Sequence, residues 1–308
     1  MTKILFMIPF YSMKILILTG GNSSERKISL LSASQAKKAL LKKSYEVKLY
    51  DLKNGYKPLK KLSKDFDVLF PVLHGEEGEG GKLHKFLYTL RKPIVGTKNY
   101  QGMKKAWYKI PFKKYCDKNN ILTPAWRVIK KNNDIEKFGF PCVVKTSSGG
   151  SSREVFILKS KKDLQKFSNK IFRHGDLFVE EYLKGVEITI GILNDKALPV
   201  LEIIPPKNGW FDYKNKYSGE TREILNAPSL KPTIAKRAQE IALKIHKQFK
   251  LGSYSRIDFI EKDDKIYALE LNTIPGLTKE SLLPKETGMP FEEFTDKLVR
   301  LSLLDKKY

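Results

Sequence analysis

Glu270-Leu271-Asn272-Thr273-Ile274-Pro275-Gly276 stands near the end of the chain and decides how the rest is read. Just upstream, Ser255 to Ile260 and Lys265 to Leu271 flank Lys262-Asp263-Asp264. Two short apolar-rich runs around an acidic turn predict a β-hairpin. Asp258 and Glu270 then lie side by side on neighbouring strands. Side chains alternate along a strand, so Asn272 shares a face with Glu270, and Arg256 shares one with Asp258. The residues between them (Ile257, Phe259, Leu269 and Leu271) are apolar. The polar face is therefore the floor of a cleft rather than open surface. Two carboxylates and an amide oxygen form a hard-oxygen set that suits Mg²⁺ bridging nucleotide phosphates. Arg256 adds a fixed cation for an oxyanion or a phosphoryl group.

Working outward, Ile15 to Leu18 is a short apolar run that ends at Gly20-Gly21. That is how a buried parallel strand entering a glycine turn reads. Ile28 to Leu41 has helical spacing, with Ser23 or Ser24 as N-cap. Val47 to Tyr50 and Val68 to Leu73 are further strands, and Lys82 to Leu90 is a helix. This alternation predicts a Rossmann-like α/β domain with a mostly parallel sheet over residues 1–101. Met13 opens the first strand, so residues 1–12 read as an extension.

From there the pattern is mixed α+β. Tyr108 to Asn119 is a helix, followed by strands at Ala125 to Ile129, Cys142 to Lys145 and Val155 to Leu158. A helix at Asp163 to Ile171 and a strand at Leu177 to Glu181 complete a second unit, 102–183. The third, 184–308, has strands at Ile188 to Leu193 and Val200 to Ile203 and helices at Thr233 to Phe249 and Phe291 to Leu304. Trp210 to Thr221 is a long polar, aromatic loop of the functional kind.

Composition bounds the function. At 308 residues and 41% hydrophobic, the chain fills more than one domain. Its net charge is +24, which attracts anions. Yet 49 of the 58 basic residues are Lys, spread along the whole chain, whereas nucleic-acid readers concentrate Arg. Nucleic acid is not the expected partner. Two cysteines, Cys116 and Cys142, make no disulfide or zinc framework, which fits a reduced cytoplasmic setting. No stretch is long enough to cross a bilayer.

The hairpin, together with Ile274-Pro275-Gly276-Leu277-Thr278 and Ser281-Leu282-Leu283-Pro284, resembles the C-terminal signature of the D-alanine–D-alanine ligases, which are ATP-grasp enzymes. The resemblance runs from Met13 to about Leu304, with its blocks in order. It implies an ATP-grasp fold preceded by the parallel-sheet domain, and ligation of two D-alanines with ATP hydrolysis, for peptidoglycan precursors.

The resemblance also implies roles. Gly20-Gly21-Asn22-Ser23-Ser24-Glu25 is similar to the motif whose glutamate, here Glu25, binds the first D-alanine's ammonium. His74, opening a glycine-rich stretch to Gly81, would lie near that substrate's carboxylate. Gly80 replaces the family's aspartate. Lys145 and Lys109 would touch the nucleotide phosphates. Gly149-Gly150-Ser151-Ser152 resembles the lid over them, continued by Arg153-Glu154 instead of the family's Val-Gly. Glu180, Glu181, Tyr182 and Leu183 resemble the adenine hinge, and Glu187 the ribose glutamate. In the loop, Lys216 would reach the phosphates and Tyr217 would join Ser151 and Glu25 over the substrate. That lysine–tyrosine pair favours an amine acceptor over a hydroxy acid. Ser281 and Leu282 would hold the second substrate's carboxylate. Asp258, Glu270 and Asn272 would bind two Mg²⁺ ions, with Mn²⁺ as a possible replacement. Arg256 and the Gly276 N–H would face the tetrahedral oxyanion. A homodimer through the first domain is expected. The alternatives are a related ATP-grasp ligase with another amino or hydroxy acid, and a catalytically silent nucleotide-binding relative.

Overall fold

The computed structural model describes residues 13–97, 99–150, 154–173, 175–206 and 221–304. In chain order, β1 (Lys14–Thr19), α1 (Arg26–Lys42), β2 (Glu46–Asp51), α2 (Tyr56–Leu62), β3 (Val68–Pro71), α3 (Glu76–Glu79) and α4 (Lys82–Tyr88) form the first layer. The strands are parallel in the order β2-β1-β3. Five consecutive residues of β1 are buried because both sheet faces are covered, which is why the strand reads as an unbroken apolar run. Ile15 and Ile17 pack with Ala33, Ala36 and Leu40 of α1 on one side. Leu16 and Leu18 pack with Leu69, Leu83 and Leu87 on the other.

Next come α5 (Tyr100–Trp107), α6 (Lys109–Lys118), β4 (Trp126–Ile129), α7 (Asn132–Phe138), β5 (Cys142–Thr146), β6 (Val155–Leu158), α8 (Lys161–Ile171) and β7 (Leu177–Glu181). The strands form an antiparallel sheet in the order β4-β7-β5-β6. Cys142 is core, as its apolar flank implies, and Cys116 is equally buried. Both are free thiols.

The last stretch holds β8 (Val186–Leu193), β9 (Lys196–Ala197), β10 (Leu201–Ile204), β11 (Arg222–Leu225), α9 (Pro232–Phe249), β12 (Tyr254–Lys262), β13 (Lys265–Asn272), α10 (Leu282–Thr287) and α11 (Phe291–Leu304). Its antiparallel sheet runs β11-β10-β8-β12-β13, with β9 beside β8. The β12–β13 turn places Asp263 and Asp264 at φ of 53° and 59°. Left-handed backbone at both turn residues matches the twist of a two-residue hairpin. A bulge after Asp258 leaves Leu269 without a cross-strand partner.

Most expected elements stand within a residue or two of their reading. Seven were not anticipated: α2, α3, α5, α7, α10, β9 and β11. Five are short helices that owe their stability to packing rather than to a long periodic pattern. Pro284 in α10 falls within the first turn, where no helical N–H is lost. β11 emerges where the sequence reads as the end of a loop, and is held by pairing with β10. The terminal helix α11 returns to the first sheet, with Phe294, Leu298 and Val299 closing the core around Ile15 and Ile17. Among the described residues no helix is long and apolar enough to cross a membrane.

Candidate active site

The hairpin delivers its carboxylates as alternation requires. Asp258 stands opposite Glu270, and Arg256 opposite Asn272. Arg256 grips Asp258 with two prongs, Nε to Oδ1 at 2.9 Å and Nη2 to Oδ2 at 2.8 Å. Asn272 donates to Asp258 Oδ2 at 3.0 Å, and Thr189 on β8 donates to Oδ1 at 2.6 Å. Asp258 is thus oriented by three donors before any ligand arrives. Burial disfavours charge on Arg256, but Asp258 outweighs it and holds the guanidinium above its ordinary range.

Asp258 and Glu270 line a cavity of about 400 Å³ between the middle and last sheets. Lys109, Lys145, Glu180, Glu181, Tyr182, Leu183 and Glu187 share its wall. The residues expected to hold a nucleotide are therefore brought together from α6, β5, β7 and β8. Glu181 ends β7, and Tyr182 and Leu183 carry the chain onward along the cavity wall. Lys109 Nζ donates to the Gly149 carbonyl at 2.7 Å and lies 3.4 Å from Glu270 Oε2. This ties the glycine loop to the carboxylate floor.

Lys145 lies 2.5 Å from Glu180 Oε1. Glu180 is 2% exposed and meets a second lysine, Lys113, on its other oxygen. Burial raises a carboxyl, but the two ammonium groups outweigh it and hold Glu180 below its ordinary value. For Lys145 burial works downward, and the carboxylates of Glu180, Glu270 and Glu187 overturn it. Burial lowers Lys113, against the attraction of Glu180. Sequence reading missed Lys113; in a lysine-rich chain nothing marks it, and only its complete burial does.

A second, smaller cavity of about 220 Å³ adjoins the first through Thr146, Gly149, Gly150 and Glu154. Glu25 lines it together with Ser23, Gly75 and Glu76. A Cβ at Gly150 would stand 3.1 Å from Glu25 Oε2, so the glycine is what lets the loop approach this carboxylate. Glu154, where the lid motif departs from the family, borders both cavities.

His74 is buried beside this region rather than among the lining residues. Its Nδ1 sits 3.1 Å from Glu79 Oε1, and its backbone N–H donates to Ser29 Oγ at 2.9 Å. Burial pushes the Glu79 carboxyl up, opposed by His74. At Gly80 a Cβ would lie 2.4 Å from the Glu76 carbonyl. The chain turns too tightly there for the aspartate of the family motif. Gly276 lies against Ser281, whose Oγ a Cβ at 276 would meet at 2.6 Å. Ser281 Oγ accepts the Thr278 N–H at 3.1 Å. Leu282 packs with Leu201 and Ile203. Ser151, Lys216 and Tyr217 lie outside the described residues, as do Ser152, Arg153 and most of the long loop.

The donor set at the floor fits a divalent cation. Asp258 and Glu270 offer hard oxygens, and Asn272 can add an amide oxygen. Among the described residues no group of three or more His, Cys, Asp or Glu forms a separate metal cluster.

Residues 110–300 match the family model described as the D-ala D-ala ligase C-terminus. A D-alanine–D-alanine ligase of Maridesulfovibrio salexigens is 35% identical over 96% of this chain and 100% of its own length. One from Thermotoga maritima is 37% identical over 95% and 98%. The chain belongs to the D-alanine–D-alanine ligase family. The crystal structure of a Bacillus anthracis D-alanine–D-alanine ligase complexed with ATP superposes with a TM-score of 0.82. It is 30% identical and covers 95% of this chain and 98% of that one. The expected ATP-grasp architecture, with its parallel-sheet first layer, is thus the architecture found. Family membership also explains why β5, β7 and β8 converge on one cavity: a ligase of this type must hold nucleotide and acceptor within reach of each other.

Proposed function

We propose that this chain is an ATP-dependent ligase that joins two D-alanines into D-alanyl-D-alanine for peptidoglycan precursor synthesis, releasing ADP and phosphate. The observation that carries the reading is the cavity where two facing carboxylates, Asp258 and Glu270, meet two lysines, Lys109 and Lys145. Such a site suits a polyphosphate, and the adjoining cavity with Glu25 suits an ammonium-bearing acid.

In this reading Lys109 and Lys145 bind the nucleotide phosphates. Backbone groups of Glu180 to Leu183 read the adenine edge, and Glu187 takes the ribose hydroxyls. Asp258, Glu270 and Asn272 would hold two Mg²⁺ ions, or Mn²⁺, which when bound offset phosphate charge. Glu25 anchors the first D-alanine's ammonium, and His74 lies toward its carboxylate. That carboxylate attacks the γ-phosphate, forming an acyl phosphate and ADP. Ser281 and Leu282 hold the second D-alanine's carboxylate while its amine attacks the acyl carbon. Arg256 and the Gly276 N–H receive the oxyanion, and phosphate leaves. By the resemblance, Lys216 would reach the phosphates and Tyr217 would join Ser151 and Glu25 over the first substrate, where water must be kept from the acyl phosphate. No protein nucleophile is required.

The working division is 1–101, 102–183 and 184–308: substrate domain, lid subdomain and catalytic subdomain. We further propose a homodimer through the first of these, acting in the cytoplasm on small molecules alone. The test is phosphate release with ATP, Mg²⁺ and D-alanine, beside Glu270→Gln. D-alanine-dependent release that the variant loses supports the reading. Release only with another acceptor, or ATP binding without release, would overturn it.

A further inference from the structure

Among the described residues, Lys113 is the one lysine in the buried core. It does not line the nucleotide cavity. It reaches Glu180 from behind, while Lys145 reaches the same carboxylate from the cavity side. Lys113 Nζ also donates to Thr123 Oγ1 at 2.5 Å, and that hydroxyl donates to the Ala268 carbonyl on β13 at 2.8 Å. One buried carboxylate is therefore shared by two cations, and the rear one is anchored to the hairpin that carries Glu270.

The arithmetic of charge gives this arrangement a consequence. A lone Glu180–Lys145 pair would be neutral and, in a buried setting, strongly self-satisfied. Lys145 would be spent on Glu180. With Lys113 present, the trio carries one net positive charge, and the cavity-facing member is where an anion can use it.

We propose that Lys113 is a positioning residue, which occupies Glu180 from the rear so that the Lys145 charge remains available to the nucleotide phosphates. The proposal rests on the cavity being the ATP site. Lys113 itself touches no phosphate; it acts through Glu180.

The experiment is a double-mutant cycle on the full chain, reading the ATP dissociation constant with Mg²⁺ by calorimetry. Thermal unfolding of each variant is followed in parallel. Lys113→Met in the unchanged background is expected to weaken ATP binding about tenfold, since Glu180 then claims Lys145. In a Glu180→Gln background the same substitution is expected to cost less than about threefold, because no carboxylate is left to claim it. Equal losses in both backgrounds would overturn the proposal, whatever the melting temperatures do, and so would no loss in either. If Lys113→Met does not fold, Lys113→Gln takes its place in the same cycle. ATP binding is read without D-alanine, so failure of the ligase reading shows separately, as missing D-alanine-dependent phosphate release by the unchanged chain.

Discussion

Arg256 and Asp258, two residues apart on one strand, form a two-pronged ion pair on the cavity floor, at 2.9 and 2.8 Å. The pair fixes the direction of the Asp258 carboxylate, which Thr189 and Asn272 then complete. Asp258→Asn removes the charge but keeps the shape. Phosphate release is expected to fall about 100-fold or more, a loss typical of removing one charge-stabilising group. The melting temperature should fall as well, because the largely buried Arg256 guanidinium loses its carboxylate partner. Turnover within threefold of the unchanged chain's would remove Asp258 from the chemistry.

Glu286 Oε1 accepts the Gly191 N–H at 2.8 Å, which pins α10 to β8. Burial pushes this carboxyl up from 4.5 to about 8. Over that window the fold holds a proton that the unfolded chain has released. Its stabilising contribution is therefore full below about pH 4.5 and lost as pH rises through 8. Glu286→Gln keeps an acceptor for Gly191 and never ionises. Urea unfolding at pH 5, 6.5 and 8 should show the variant gaining on the parent as pH rises, by at most about 1.4 kcal/mol per unit. Parallel curves would count against a buried neutral Glu286.

Gly78 packs under the His74 loop, where an added Cβ would stand 1.9 Å from the Leu73 carbonyl oxygen. Backbone cannot yield as a side-chain tip does. Gly78→Ala should cost about 1–3 kcal/mol and displace α3 from its seat. Thermal unfolding reads the cost; a shift below one degree would show that the loop relaxes freely.

Tyr45 Oη donates to Asp296 Oδ1 at 2.5 Å, joining the start of β2 to α11 across the first core. Asp296 also receives Arg300 Nε at 2.7 Å. Tyr45→Phe leaves the carboxylate with that one partner and should cost about 1–3 kcal/mol. Denaturant unfolding checks this, and an unchanged midpoint would argue that Arg300 alone satisfies Asp296.

Alternation along β12 and β13 was legible residue by residue, because a strand repeats every two positions and its turn chemistry sets the register. Asp258 and Glu270 could be placed opposite each other from the sequence for that reason. Glu180 was legible only as part of a hinge. That its side chain turns inward between Lys113 and Lys145 depends on α6 packing behind β7, a contact between residues 67 positions apart. Gly80 shows the opposite case: the departure from the family motif is plain in the sequence, but the Glu76 carbonyl that an added side chain would meet is not.

By itself, the sequence determined the hairpin, its four polar side chains on one face, the parallel first layer and the family. Each rests on local periodicity or on contiguous motifs, which are properties of the chain alone. Tertiary structure decided which charges meet. It joined Lys109 to Glu270, shared Glu180 between two lysines, set Glu286 against Gly191, and brought Gly150 up to Glu25. Those pairings depend on desolvation and on distances between separate elements, and neither is written in any single stretch of residues.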